Sequence, residues 1–175
     1  MALFEYNIPG GTVGLACPLL ITTPPPPDLT VRIQLAQTFT PQTTHTIDTA
    51  RLFLHRSGSP GNFTVDIYAV DGNSLPIGAS LCSGISNGDT LTTNSSGSAR
   101  NVDLGAGAVL TADVEYAMVL DTPNAVAGTN AVLWQYSGFN SYARGQAVTY
   151  PEEIDDETTA PNWWNFSNDS DFKFA

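Results

Sequence analysis

Lysine is almost missing from this chain: Lys173 is the single one in 175 residues, joined by five arginines against 17 acidic side chains, for a formal charge of −11. So acidic a chain is repelled by phosphate backbones and anionic headgroups, which argues against nucleic acid and membrane as partners. Histidine and cysteine are scarce too. His45 and His55 stand apart from each other and from Cys17 and Cys82, so no metal-type spacing exists. Two cysteines are also too few for a disulfide framework. No G-x-S-x-G elbow is present, which leaves a hydrolase triad without sequence support. The expectation is a protein that is not an enzyme and carries no cofactor and no metal.

Charge of either sign is thin. Only 13% of residues are charged, against about 25% in ordinary globular domains. What fills the chain instead is Ser, Thr, Asn, Gly and Pro, the vocabulary of short strands and turns, and no segment carries a convincing helical period. Period-two alternation recurs. In "NFTVDIYAV" Phe63, Val65, Ile67 and Ala69 fall on one face and Thr64, Asp66 and Tyr68 on the other, with Asp71-Gly72 as the turn that follows. "VEYAMVL" aligns Val114, Tyr116, Met118 and Leu120, "AVLWQY" aligns Val132, Trp134 and Tyr136, and "ARLFLHR" offers Leu52 and Leu54. Further strands are expected at 29–39, 79–83, 101–104, 146–150 and 171–174. Eight or nine strands need a second layer to bury their apolar faces. The predicted fold is therefore all-β, a two-sheet antiparallel β-sandwich of jelly-roll or Greek-key type with an extended N-terminal arm.

That arm is the oddest part of the chain. "MALFEYNIPGGTVGLACPLLITT" carries Leu3, Phe4, Tyr6, Ile8, Val13, Leu15, Leu19, Leu20 and Ile21, too apolar a set for a solvated tail. It lacks the basic start and unbroken apolar stretch of an export signal, since Glu5 and Pro9-Gly10-Gly11 interrupt it. Pro24 to Pro27 follow, a polyproline II segment of about 3.1 Å per residue that cannot join a sheet ladder internally. The predicted organisation is a docking arm at 1–23, a polyproline spacer at 24–28 and a sandwich domain at 29–175. One alternative has the arm folding back over its own sandwich; the reading adopted is that it docks on a neighbouring subunit.

"AQTFTP" (36–41), "LFLHRSGSPGNFTVDIYAVDGNSLPIGASLCSG" (52–84), "LTADVEYAMVLDT" (110–122) and "YARGQA" (142–147) resemble a β-sandwich family of choice-of-anchor surface domains and bacteriophage virion proteins. The resemblance covers roughly residues 34–175 and implies a jelly-roll-like domain for attachment or assembly, without a catalytic centre. Where family members have a Gly/Ser-rich turn before a closing strand, this chain has the acidic "PEEIDDE" (151–157). Cell-surface members carry an export signal; this chain shows none. The expectation is therefore a virion protein made in the host cytoplasm, capsid decoration or tail-associated. Its expected partners are other virion subunits and further copies of itself, a trimer by analogy.

Two other features carry expectations. The run Glu152, Glu153, Asp155, Asp156 and Glu157, with Asp169 and Asp171, has the oxygen chemistry calcium takes but not the EF-hand pattern, and reads as a solvated loop. Trp134, Tyr136, Phe139, Tyr142, Trp163 and Trp164 could form a platform for a surface glycan or an interface, which makes carbohydrate binding the alternative function.

Overall fold

The computed structural model describes residues 13–17, 34–124, 129–137, 142–150, 164–167 and 171–174. Eleven strands and one turn of 3-10 helix, Gly88–Thr90, make up its regular structure. They are β1 (Val13–Cys17), β2 (Gln34–Phe39), β3 (His45–Ser57), β4 (Asn62–Val70), β5 (Pro76–Asn87), β6 (Ser98–Leu110), β7 (Tyr116–Asp121), β8 (Ala131–Ser137), β9 (Ala147–Tyr150), β10 (Trp164–Ser167) and β11 (Asp171–Phe172). Every pairing is antiparallel.

The strands form two sheets packed face to face. One runs β1-β8-β3-β6 with β11 also on β8, and the other runs β10-β9-β2-β7-β4-β5. Only β4 with β5 and β9 with β10 are neighbours both in sequence and in a sheet. Elsewhere the chain crosses from one layer to the other, so each apolar face meets its complement as the sheets close.

Alternation decides which side chains meet there. Phe63, Val65 and Ile67 of β4 are wholly buried, as are Leu52 and Leu54 of β3, Leu120 of β7 and Trp134 of β8. All belong to one cluster between the sheets. At β5 the layers come close. A Cβ on Gly84 would collide with the Asp103 carbonyl oxygen and the Val102 side chain, so glycine lets β5 and β6 approach.

Two parts of the expected pattern need correction. Val114 does not share the inward face of Tyr116, Met118 and Leu120; it lies ahead of β7 and is 45% exposed. The central strands of the six-stranded sheet are also not half-buried. Ala36, Val119 and Val148, on the face opposite the main cluster, form a second buried group with Tyr68 and Leu75 packed against it. Outward positions such as Ala36 and Val119 are apolar because they are buried too.

The C-terminal segment closes the core. Where β3 and β8 diverge, residues 171–174 lie between them: the Lys173 amide donates to the Gln135 carbonyl at 2.8 Å, and the Phe53 amide donates to the Lys173 carbonyl at 3.3 Å. Leu52 and Phe174 complete the ladder as an isolated bridge. Phe172 and Phe174 then point into the main cluster, where the Phe172 ring stacks on Trp134 with centroids 4.6 Å apart.

Candidate functional surface

Three of the segments singled out in the sequence, 36–41, 110–122 and 142–147, fold onto one another. Arg144, from "YARGQA", donates through Nε to the Thr40 carbonyl at 2.8 Å and through Nη2 to the Pro41 carbonyl at 3.0 Å. The Thr38 hydroxyl accepts from the Gln146 amide and the Thr40 hydroxyl donates to the Arg144 carbonyl. A Cβ on Gly145 would overlap the Thr38 carbonyl, so "RG" is what lets this segment lie against "TFTP". From "LTADVEY", the Asp113 amide donates to the Pro41 carbonyl, and its carboxylate takes the Arg144 guanidinium at 3.2 Å. Asp113 is well exposed, so that ion pair adds little; the carbonyl contacts do the positioning.

Inside the sandwich, Gln37 projects from β2 into the apolar layer and is satisfied there. Its Nε2 donates to Asp171 Oδ1 at 3.0 Å, and its Oε1 accepts from the Phe172 amide at 2.7 Å. Asp171 Oδ2 accepts from the Tyr142 amide at 2.8 Å. The cluster ties the six-stranded sheet to the closing strand β11. It also gives Asp171 a structural task in place of the calcium ligation its sequence context raised. Residues 151–163 and Asp169 lie outside the described residues. Among the described residues, no group of three or more His, Cys, Asp or Glu side chains is placed to hold a metal ion.

His55 is buried beside Gln135, whose Nε2 lies 2.7 Å from His55 Nδ1 and 3.1 Å from the Ser95 carbonyl. An amide nitrogen only donates, so Nδ1 is the acceptor and the ring is neutral with its proton on Nε2. Burial pushes the imidazole below its ordinary 6.5. The unfolded chain therefore takes up a proton at a pH where the folded protein does not. Stability is full above about pH 6.5, falls as the pH drops below it, and levels off once the lower folded value is passed. His55→Gln is expected to flatten that part of the curve. Melting temperatures of both proteins between about pH 7.5 and pH 5 check this. His45 sits elsewhere, its Nδ1 against the Thr43 carbonyl. Cys82 is a free thiol, half-buried, with its pKa raised by burial and then by Asp66.

Among the described residues, Trp134 and Tyr142 are not part of an exposed aromatic platform. Trp134 is fully buried and Tyr142 nearly so; both are core, not glycan contacts, because Phe172 and Phe174 pack on their rings. Tyr136 is half-buried, edge-on to Phe172. Trp164 begins β10, while Trp163 and Phe139 lie outside the described residues.

Of the residues assigned to partner docking, Val13 and Leu15 belong to β1. Its backbone pairs with the protein's own β8, Val13 opposite Tyr136 and Leu15 opposite Trp134. Leu3, Phe4, Tyr6, Ile8, Leu19, Leu20 and Ile21 lie outside the described residues, as does the spacer at 24–28.

A surface the sequence reading passed over lies on β5. Ile77, Leu81 and Ile85 are 48%, 44% and 68% exposed on one strand. The legible signal was that no charged residue stands between Asp71 and Asp89. Compared with known proteins, the chain matches no family model and no curated protein sequence.

Proposed function

We propose that the protein is a non-enzymatic building block of a bacteriophage virion, capsid decoration or tail-associated, held to neighbouring subunits by its N-terminal segment. The observation that carries this reading is the meeting of the "AQTFTP", "LTADVEY" and "YARGQA" segments around Thr40-Pro41 in a two-sheet sandwich. The residues behind the resemblance to attachment and assembly domains are thus the ones that lock this fold.

Val13–Cys17 pairs with β8 in the five-stranded sheet. The residues proposed to dock on a neighbour are therefore the apolar ones on either side of it in the sequence, Leu3 to Ile8 and Leu19 to Ile21. Each buried methylene adds about 0.8 kcal/mol to such a contact, so a few side chains suffice to hold a subunit. The glycan alternative draws no support from Trp134 and Tyr142, which are core residues.

The test leaves β1 in place. Phage particles made with Leu3, Phe4, Tyr6 and Ile8 each changed to serine are expected to retain this protein at about one tenth of the normal copy number or less, since tenfold in binding is about 1.4 kcal/mol. Unchanged copy number in purified particles would overturn the reading.

A further inference from the structure

Leu54 and Trp134 face the core, so their neighbours His55 of β3 and Gln135 of β8 turn to the outer face of the five-stranded sheet, where both are buried. The turn at 93–97 lies against Gln135. The Ser95 carbonyl, 3.1 Å from Gln135 Nε2, fixes which way the amide faces, because only the nitrogen can donate to it. That nitrogen also lies 2.7 Å from His55 Nδ1. Gln135 Oε1 is left buried with no hydrogen-bond partner among the described residues. An unpartnered buried acceptor is uncommon. Here it stands half a rotation of the amide away from the imidazole.

The turn depends on this amide. Among the described residues, no other hydrogen bond joins 93–97 to the sheets; the rest stay within the segment, as from the Asn94 amide to Thr92 Oγ1, from the Ser96 amide to Asn94 Oδ1 and from the Gly97 amide to the Asn94 carbonyl. Gly97 has a positive φ, and a Cβ there would stand 2.9 Å from Gln135 Cγ, so the turn rests directly on the glutamine stem. Thr93 to Ser96 are exposed and uncharged, with no apolar anchor of their own.

We propose that one proton on His55 unlatches the turn at 93–97: Nδ1 changes from acceptor to donor, the Gln135 amide turns over, and the Ser95 carbonyl loses its bond. With Nδ1 protonated, two donors face each other at 2.7 Å. Turning the amide over relieves this, since Oε1 then accepts from Nδ1. The same rotation sets Oε1 against the Ser95 carbonyl oxygen, acceptor against acceptor. The strain falls on the exposed turn, whose carbonyl finds water when it lifts away.

The surrounding charges hold the latch closed at neutral pH. β3 brings Arg51, over the Phe53 ring, and Arg56, held by the Leu91 and Gly58 carbonyls. β6 brings Arg100, bonded to Thr90, while His45, Asp48 and Asp103 lie towards the other end of β3. The closing segment brings Lys173, whose amide pairs with the Gln135 carbonyl, and Asp171, engaged by Gln37 and the Tyr142 amide. β8 and the turn carry no charge. Burial lowers the imidazole pKa, so release belongs to pH values below the ordinary 6.5.

This device is separate from the N-terminal segment and does not rest on the virion reading. Hydrogen exchange of the full chain, corrected for the intrinsic effect of pH, is expected to rise about tenfold or more at 93–97 between about pH 7.5 and pH 5. β4 and β7 keep their protection over that range. Nitrogen NMR of the imidazole shows Nδ1 bare at neutral pH and protonated in the released state. In His55→Gln, exchange at 93–97 stays flat. Gln135→Glu keeps the shape but denies Ser95 its donor and gives the imidazole a carboxylate, so the turn exchanges fast already at neutral pH. Three results each overturn the proposal: an equal pH slope in His55→Gln, a rise at 93–97 only together with β4 and β7, or an Nδ1 already protonated at neutral pH. The last two are read on the parent protein, so they decide the matter even if neither variant folds.

Discussion

Trp134→Ala is expected to lower the free energy of unfolding by about 3–5 kcal/mol, the cost of emptying an aromatic site in a packed core. Trp134 is the largest fully buried side chain among the described residues, and its stacking on Phe172 makes it the floor on which the C-terminal segment sits. Its indole Nε1 also donates to the Lys173 carbonyl at 2.8 Å, the acceptor that the Phe53 amide uses from the other side. Loss of the ring therefore empties a cavity and loosens residues 171–174 together. Since small domains have only about 5–15 kcal/mol in total, the variant should sit near its folding threshold. Trp134→Phe keeps most of the volume and loses the hydrogen bond, at about 1 kcal/mol. Urea unfolding gives both values. Hydrogen exchange at the Lys173 and Phe53 amides should accelerate in the alanine variant more than the global loss accounts for. An alanine variant within 1 kcal/mol or so of the parent would mean that this segment does not close the core.

The second large effect is expected at Asp171. Both its oxygens act as acceptors, Oδ1 from Gln37 Nε2 and Oδ2 from the Tyr142 amide. Asparagine has nearly the same shape but offers a donor where one of those acceptors stood, so Asp171→Asn sets two donors against each other in a dry interior. Each orphaned buried donor costs about 1–3 kcal/mol. Asp171→Ala removes the carboxylate acceptor of both donors, leaving Gln37 Nε2 its bond to the Thr38 carbonyl, and Gln37→Ala removes the other half of the same cluster. The double variant Gln37→Ala, Asp171→Ala should therefore lose less than the two single losses added, by more than the few tenths of a kcal/mol seen for independent sites. Additive losses would mean that the cluster does not act as one unit.

The strand grammar was legible because it is local. Phe63, Val65 and Ile67 alternate with Thr64, Asp66 and Tyr68, and period two alone assigns them to opposite faces. Pairing partners far apart in sequence leave no such trace. Nothing near "VGLAC" indicates that Val13 lies opposite Tyr136, so the stretch stands out along the chain for its apolar character and not as a strand. Trp134 shows the same limit. Alternation placed it inward beside Val132, its aromatic character suggested a contact platform, and only Phe172, brought back by the final crossing, selects the first. The covered outer face of the six-stranded sheet did have a signal. Ala117 and Val119 occupy outward positions in "YAMVL", and a continuous apolar run of that length is how a strand buried on both sides reads. The polar cluster joins Gln37 to Tyr142 and Asp171, both more than a hundred positions away, so its parts look unrelated along the chain.

Electron cryomicroscopy of particles of a phage whose genome encodes this chain, as the proposed function requires, tests the functional account most directly. The predicted result is a map that holds the sandwich among the structural proteins, with the stretch from Leu3 to Ile8 seated against a different subunit. Particles that lack the protein, or a map in which that stretch touches only its own sandwich, would contradict it.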